Sequence, residues 1–176
     1  MTAPEVPRLV PDQPFPPYTY VPGRSPHPVS DPAGHSFGVE TPRPPRVDPE
    51  HWQTSRAYLY GIDLFNHGYY WEAHETWETL WHACGRKGVT ADFLKGLIRL
   101  AAAGVKARAG SPEGVRSHAR RAAQLFEEVA RQLGDATPCY LGLALGDLRA
   151  AASELADQPP TADLAIVLRP NPAKPR

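Results

Sequence analysis

The chain has 176 residues with 19 basic and 19 acidic side chains, so its formal net charge is zero. The length suits one compact domain with additional segments, and the absence of excess positive charge argues against nucleic acid or an acidic membrane surface as a partner. No apolar run reaches the roughly 18 residues of a membrane span, and the N-terminal residues lack the pattern of a secretory signal. The sequence therefore predicts a cytoplasmic protein.

Proline divides the chain into three parts. Fourteen of the 21 prolines fall within residues 1–50, and five lie after Gln158. Between these regions only Pro112 and Pro138 occur, each after a Ser or Thr that can cap a helix, so both can open a helix instead of breaking one. The distribution predicts a proline-rich N-terminal arm, a helical domain and a short C-terminal tail, with the bounds 1–48, 49–157 and 158–176.

The arm cannot form regular core elements, because proline removes backbone donors and restricts its neighbour. It nevertheless carries aromatic and apolar anchors that a solvated linker usually lacks, namely Phe15, Tyr18, Tyr20, Val21 and Phe37. We expect it to lie partly extended over the helical domain, where it could also contact a neighbouring subunit of a homo-oligomer. The apolar run from Leu164 to Leu168 in the tail is expected to dock in the same manner.

The central part predicts an all-α fold, a compact bundle of about five helices. Glycines mark the expected helix ends, and no segment shows the period-two alternation of a strand. The predicted helices lie near residues 49–67, 69–84, 91–109, 112–133 and 138–157.

The second predicted helix contains a polar pair at the edge of its apolar face. On a helical wheel, His74 and Glu78 lie between Trp81 and Trp71, whereas Glu72 falls on the outside. An imidazole and a carboxylate four residues apart can reach one Zn²⁺, Mn²⁺ or Fe²⁺ ion. A metal needs further ligands, for which the candidates are Glu75, His82 and His118. Alternatively, the pair is a buried structural pair that forms a hydrogen bond at the core boundary.

Three segments resemble a known family: "GIDLFNHGYYWEAHETWETLWHACG", "FLKGLIRLAAAGVKARAG" and "SPEGVRSHARRAAQLF". Across roughly residues 52–133 the chain resembles the domain of unknown function family 309, whose signature H-x-x-x-E-x-x-W corresponds here to His74, Glu78 and Trp81. The resemblance implies a small all-α domain and a metal site at the signature. It implies no reaction.

The third predicted helix departs from the family pattern, in which glutamines and a histidine are common. Lys95, Arg99 and Lys106 stand there instead and share one stripe of the wheel. If the stripe faced the second helix, it could neutralise Glu78 and Glu75 and disfavour a cation. The more obvious buried side of this helix lies elsewhere, so we expect the stripe to face solvent.

Two functional classes follow from these patterns. In the first, His74 and Glu78 bind a metal in an enzyme-like pocket walled by Trp71 and Trp81, with an unknown small molecule as ligand. Further candidate residues of this pocket are Glu75 and, if their stripe faces the second helix, Lys95, Arg99 and Lys106. In the second, the chain is a non-enzymatic helical interaction module that binds a peptide, since the first two helices have the rhythm of a tetratricopeptide pair. No P-loop, nucleotide-binding glycine pattern or H-E-x-x-H motif is present, so the sequence does not predict a reaction.

Overall fold

The computed structural model describes residues 6–134 and 136–172, so the first five residues of the predicted arm and the last four of the tail lie outside it. The described chain forms a helical bundle, which confirms the predicted fold class. A 3₁₀ helix, Pro49–Thr54, precedes five α-helices and a hairpin of two very short strands, β1 and β2. The elements are α1 Arg56–Asn66, α2 Tyr70–Ala83, α3 Val89–Arg108, α4 Pro112–Leu133, β1 Cys139–Tyr140, β2 Leu143–Ala144 and α5 Leu145–Asp157.

The core lies between consecutive helices, each of which packs against the next, and α4 packs against α5 although the hairpin separates them in sequence. Its largest fully buried side chains include Trp77, Tyr58, Phe65, Phe93 and Phe126. Glycines allow this packing: a Cβ atom at Gly96 would lie only 2.6 Å from the Phe126 ring, and one at Gly61 would collide with the Trp77 indole. Gly61 of α1 and Gly96 of α3 therefore allow aromatic rings of neighbouring helices to pack directly against the helix backbone.

The first predicted helix is interrupted. Residues 49–67 were expected to form one helix, but the chain leaves the 3₁₀ helix at Ser55, whose backbone is extended. The Ser55 hydroxyl accepts a hydrogen bond from the Tyr58 backbone N–H and caps α1. A second capping residue within the predicted helix thus starts a new helix there, in line with the preference of serine for this position.

The predicted start of the last helix is wrong. Thr137 and Pro138 were expected to open a helix, but residues 139–144 form a hairpin and α5 starts at Leu145. Leu141 and Gly142 both have positive φ angles, 46° and 79°, and make the two-residue turn. The buried Tyr58 hydroxyl donates a hydrogen bond to the Leu141 carbonyl at 2.8 Å and stabilises this turn. Strands of two residues are too short to give a recognisable pattern in the sequence, so the hairpin was not predicted.

The N-terminal arm lies on the helical domain, as predicted. The Phe15 ring stacks on Tyr69 with 4.8 Å between centroids, and Val10 and Val21 are buried. Two acidic side chains of the helices accept backbone hydrogen bonds from the arm: Asp63 accepts from the N–H groups of residues 9 and 10 at 2.7 and 2.8 Å, and Glu72 accepts from residue 20 at 2.8 Å. The arm is therefore held by directional polar contacts as well as by apolar burial.

Glu72 corrects the helical wheel, which placed it on the outside of the second helix. Its side chain is only 5% exposed, because the arm covers this face of α2. The Thr19 hydroxyl donates to the Glu72 carboxylate at 3.0 Å, and the His35 ring lies 3.3 Å from it. The wheel shows the angular position of Glu72 but not the segment that packs over it.

The C-terminal tail docks through its apolar run, as predicted. Leu164 and Leu168 are buried, and Asn66 at the end of α1 exchanges two hydrogen bonds with the Leu168 backbone at 2.7 and 2.8 Å. The Tyr70 hydroxyl accepts the Leu164 N–H at 2.9 Å. Among the described helices, none has the length and apolar character needed to cross a membrane.

Candidate functional site

A pocket of about 170 Å³ opens where α2, α3 and α4 meet. Helix α2 contributes the H-x-x-x-E-x-x-W residues, α3 contributes one face with two cations, and α4 contributes a single histidine. The lining residues are His74, Glu78, Trp81, Lys95, Ile98, Arg99, Ala102 and His118. The residues selected from the second and third predicted helices thus come together at one place, apart from those corrected below.

Three potential metal ligands cluster at the α2 side of this pocket. The His74 Nδ1 atom lies 3.1 Å from Glu75 Oε1 and 3.8 Å from Glu78 Oε2. One ligand atom from each residue can be chosen so that all three lie within 4.8 Å of one another. A histidine and two carboxylates so arranged form a suitable donor set for a divalent ion.

The interpretation of His74 and Glu78 as a buried structural pair is not supported by this geometry. Their side chains are 28% and 42% exposed, and the 3.8 Å separation is too long for a hydrogen bond. The nearer partner of His74 is Glu75, which is itself 45% exposed. The pair therefore does not need mutual hydrogen bonding to offset burial.

The cationic stripe of α3 was expected to face solvent, and this is wrong for two of its three members. Lys95 and Arg99 are half-buried and line the pocket, whereas Lys106 is exposed. The Lys95 ammonium lies 5.6 Å from the centre of the Trp81 ring, and the Arg99 guanidinium reaches His118 on α4. Both long side chains extend from the edge of α3 toward neighbouring helices, a reach that a wheel of α3 alone does not include.

Four predicted site residues lie outside the pocket lining: Glu75, which belongs to the three-residue cluster, the exposed Lys106, and Trp71 and His82. Trp71, expected to be a wall, packs edge-on against Tyr20 and His27 of the arm, with 5.4 Å between ring centroids in both cases. His82, expected as an additional ligand, is exposed and contacts the Trp81 ring. The arm occupies the side of α2 that Trp71 faces, so only Trp81 remains as an aromatic wall of the pocket.

His118, the third candidate for an additional ligand, lines the pocket but is not part of the three-residue cluster. Arg99 Nη1 donates a hydrogen bond to His118 Nδ1 at 3.2 Å, so the acceptor nitrogen must be unprotonated. Burial lowers the pKa of His118, and the positive charges of Arg99 and Lys106 and the neighbouring His74 lower it further. His118 is therefore a neutral imidazole that orients Arg99.

We expect this pKa shift to make the protein less stable in weak acid. A histidine whose pKa is lower in the folded state takes up protons mainly on unfolding, so its contribution to stability is complete above the unfolded value near 6.5 and is lost as pH falls through the folded value. Urea unfolding between pH 7.5 and 5.5 should show a smaller loss for His118→Gln than for the wild type. Equal losses would show that His118 does not cause the effect.

A larger cavity of about 650 Å³ lies between α5 and the C-terminal tail. Its walls include apolar residues of α5 such as Leu148 and Leu155 and the tail residue Ile166. The sequence indicated that the tail docks but gave no sign of space beneath it, because the depth of such a cavity depends on how the tail is placed. The cavity is separate from the residues of the H-x-x-x-E-x-x-W motif.

Comparison with known proteins agrees with the resemblance drawn from the sequence. Residues 58–118 match the family model described as a domain of unknown function, DUF309. No curated protein matches the chain. The matched residues begin in α1 and end at His118, and they include all eight residues that line the smaller pocket. Residues 58–118, which carry the pocket and its motif, are therefore similar to the DUF309 family.

Proposed function

We propose that His74, Glu75 and Glu78 bind a divalent metal ion, Zn²⁺, Mn²⁺ or Fe²⁺, at the opening of the smaller pocket. The observation that carries this proposal is the convergence of three ligand atoms within 4.8 Å. Metal–ligand distances of about 2.0–2.2 Å place ligand atoms roughly 3–4.4 Å apart, so small side-chain rotations suffice to complete the site. All three side chains are partly exposed and free to make such rotations.

The charge of the donor set also fits a divalent ion. Two carboxylates supply two negative charges, which balance the ion, and a neutral imidazole adds a nitrogen ligand. Lys95 and Arg99 line the same pocket and oppose this balance. Neither forms a salt bridge with His74, Glu75 or Glu78, so the donor set is not already neutralised by these cations.

When bound, such an ion supplies Lewis acidity, which polarises an oxygen atom of a ligand. The chain's own residues define the space beside it: Trp81 and Ile98 exclude water from one wall, and Arg99 places a positive charge on another. This arrangement supports a binding pocket for a small molecule. We assign no reaction to it.

Metal binding predicts a thermal shift that depends on two side chains. At a metal concentration about 100 times the Kd, linkage stabilises the folded state by about 2.7 kcal/mol and should raise the wild-type Tm by about 5–10 °C. Tag-free protein should also retain the metal through dialysis, as measured by elemental analysis. His74→Ala and Glu78→Gln should abolish both effects, while the Tm of metal-free Glu78→Gln stays within a few degrees of wild type because its side chain is 42% exposed.

His82→Ala is the matched control, since it removes an exposed histidine from the same helix without changing the three-residue cluster. It should retain metal as the wild type does. A wild-type preparation that remains metal-free after loading with each of the three ions would refute the proposal. If Glu78→Gln retained the metal and His82→Ala lost it, the proposed assignment of the ligands would be wrong.

We also propose a cytoplasmic location. Cys84 and Cys139 form no disulfide, and Cys139 is exposed, which suits a reducing compartment. Cell fractionation tests this: recovery in a membrane or secreted fraction would contradict it.

A further inference from the structure

We propose that the smaller pocket binds a small organic carboxylate, with Arg99 and Lys95 holding the carboxylate group; this assigns a ligand class to the site of the proposed function and rests on it. Pocket residues on three helices carry the inference. They supply two cations, an apolar surface and a limited volume.

The two cations have no acidic partner of their own. Within residues 6–134 and 136–172, neither Lys95 nor Arg99 forms a salt bridge, although several other arginines do, among them Arg56, Arg108 and Arg116. Both side chains are half-buried at the pocket. Positive charges withdrawn from water favour an anion as partner.

The orientation of Arg99 suits a carboxylate. One of its N–H groups is used in the hydrogen bond from Nη1 to His118 Nδ1, which tethers the guanidinium at the pocket. A guanidinium has five N–H donors, so four remain for other acceptors, and two parallel donors match the two oxygens of a carboxylate. Lys95 adds a second positive charge beside the Trp81 ring.

The remaining surface indicates an organic molecule. Trp81, Ile98 and Ala102 give the pocket an apolar side that an inorganic anion would leave without contacts. The volume of about 170 Å³ corresponds to roughly five or six water molecules at about 30 Å³ each. The pocket therefore suits an acid with a short carbon chain, whose carboxylate lies at the cations and whose chain covers the apolar side.

The net charge of the pocket lining affects how tightly a carboxylate binds. Glu78 is the one acidic residue among the eight lining residues, against the two cations Lys95 and Arg99, so the lining carries a net positive charge. A divalent ion at the His74 cluster would offset the negative charge of Glu75 and Glu78 and make the pocket more positive. We therefore expect the carboxylate to bind the metal-free protein and to bind more tightly after metal loading.

The test is a titration of the full chain, metal-free and Zn²⁺-loaded, with 2-oxobutyrate, butyrate and inorganic phosphate. Binding is followed by NMR through the indole N–H signal of Trp81, assigned with Trp81→Phe. Both carboxylates should bind saturably, and Arg99→Gln should weaken them by about tenfold or more. Arg99→Lys should restore only part of the affinity, because it keeps the charge and loses the paired donors. Arg120→Gln, a change at an exposed arginine of α4, should have no effect.

The outcomes separate this inference from the metal proposal, since metal retention is measured independently of carboxylate binding. Carboxylate binding that depends on Arg99 supports the inference in either form of the protein, even if no metal binds. Absence of saturable carboxylate binding up to about 10 mM overturns it, even if metal binds. Binding that Arg99→Gln leaves unchanged, or phosphate binding tighter than that of both carboxylates, also overturns it.

Discussion

Replacing Trp77 with alanine should lower the free energy of unfolding by about 3–5 kcal/mol, the cost of removing a fully buried large ring from a core. Trp77 has no exposed surface, and its indole lies against Gly61 and 6.0 Å from the Phe65 ring. Its Nε1 also donates to the Tyr58 carbonyl at 3.3 Å, so the truncation removes that hydrogen bond as well. Because Gly61 has no side chain to fill the space, the cavity should persist.

Trp81→Ala is the matched comparison, in the same helix one turn later. The helical wheel places Trp81 at the edge of the apolar arc and predicts a cost as large as for any buried tryptophan. In the structure Trp81 is only partly buried and lines the pocket, so we expect a smaller loss of about 1–2 kcal/mol. Urea unfolding or calorimetry measures both, and the Trp77 variant should melt roughly 6–20 °C lower than wild type.

Equal losses for the two variants would contradict this assignment of core and pocket. If Trp77→Ala does not fold, Trp77→Phe keeps part of the ring volume and allows the comparison. The matched change is then Trp81→Phe, and Trp77→Phe should lower the free energy of unfolding more than Trp81→Phe does.

Local signals account for the helices that the sequence predicted. Helix α4 runs from Pro112 to Leu133, the predicted bounds, because Ser111 caps its start and Gly134, with a φ of 78°, ends it. The start of α5 was not predictable in this way. A Thr-Pro pair is compatible with a helix start. The hairpin that forms instead is stabilised by the hydrogen bond from Tyr58 to Leu141, two residues that are 83 positions apart in the sequence.

The candidate site was predictable to the extent that it depends on one helix. His74, Glu75 and Glu78 are neighbours on α2, so their spacing alone brings them together. The contribution of Lys95 and Arg99 depends on the rotation of α3 against α2 and α4, which periodicity does not determine. The position of Trp71 depends on the arm, whose irregular backbone has no period to read.

Removing the acidic side chains that bind the arm should release it from the helices. Asp63 and Glu72 are the buried acidic residues among those described, and together they accept three backbone N–H groups of the arm. Each charge-assisted hydrogen bond contributes about 1.5–3 kcal/mol. Glu72→Ala leaves the Tyr20 N–H without its acceptor and the Thr19 hydroxyl with only the longer bond to the Gly68 carbonyl at 3.4 Å, and we expect it to cost about 1–3 kcal/mol.

This loss should appear first as local opening of the arm. Arg24 is exposed in a turn of the arm that Glu72 holds at residues 19 and 20. If trypsin cleaves after Arg24 only from the opened state, Glu72→Ala should accelerate that cleavage by about 5- to 150-fold, in proportion to the population of the open form. Cleavage in α3, which requires opening of the core, should change less.

Glu75→Ala is the control for this experiment, because it removes an exposed glutamate from the same helix that contacts His74 and not the arm. Its cleavage rate after Arg24 should equal that of wild type. Rapid cleavage of the wild type at Arg24 under native conditions would show that the arm is free despite its contacts.

The double variant Asp63→Ala/Glu72→Ala tests whether the two anchors act together. Asp63 holds residues 9 and 10, and Glu72 holds residues 19 and 20. If the two anchors hold the arm together, the double variant should be cleaved after Arg24 faster than either single variant. Cleavage no faster than in Glu72→Ala alone would mean that Asp63 holds only the N-terminal part of the arm.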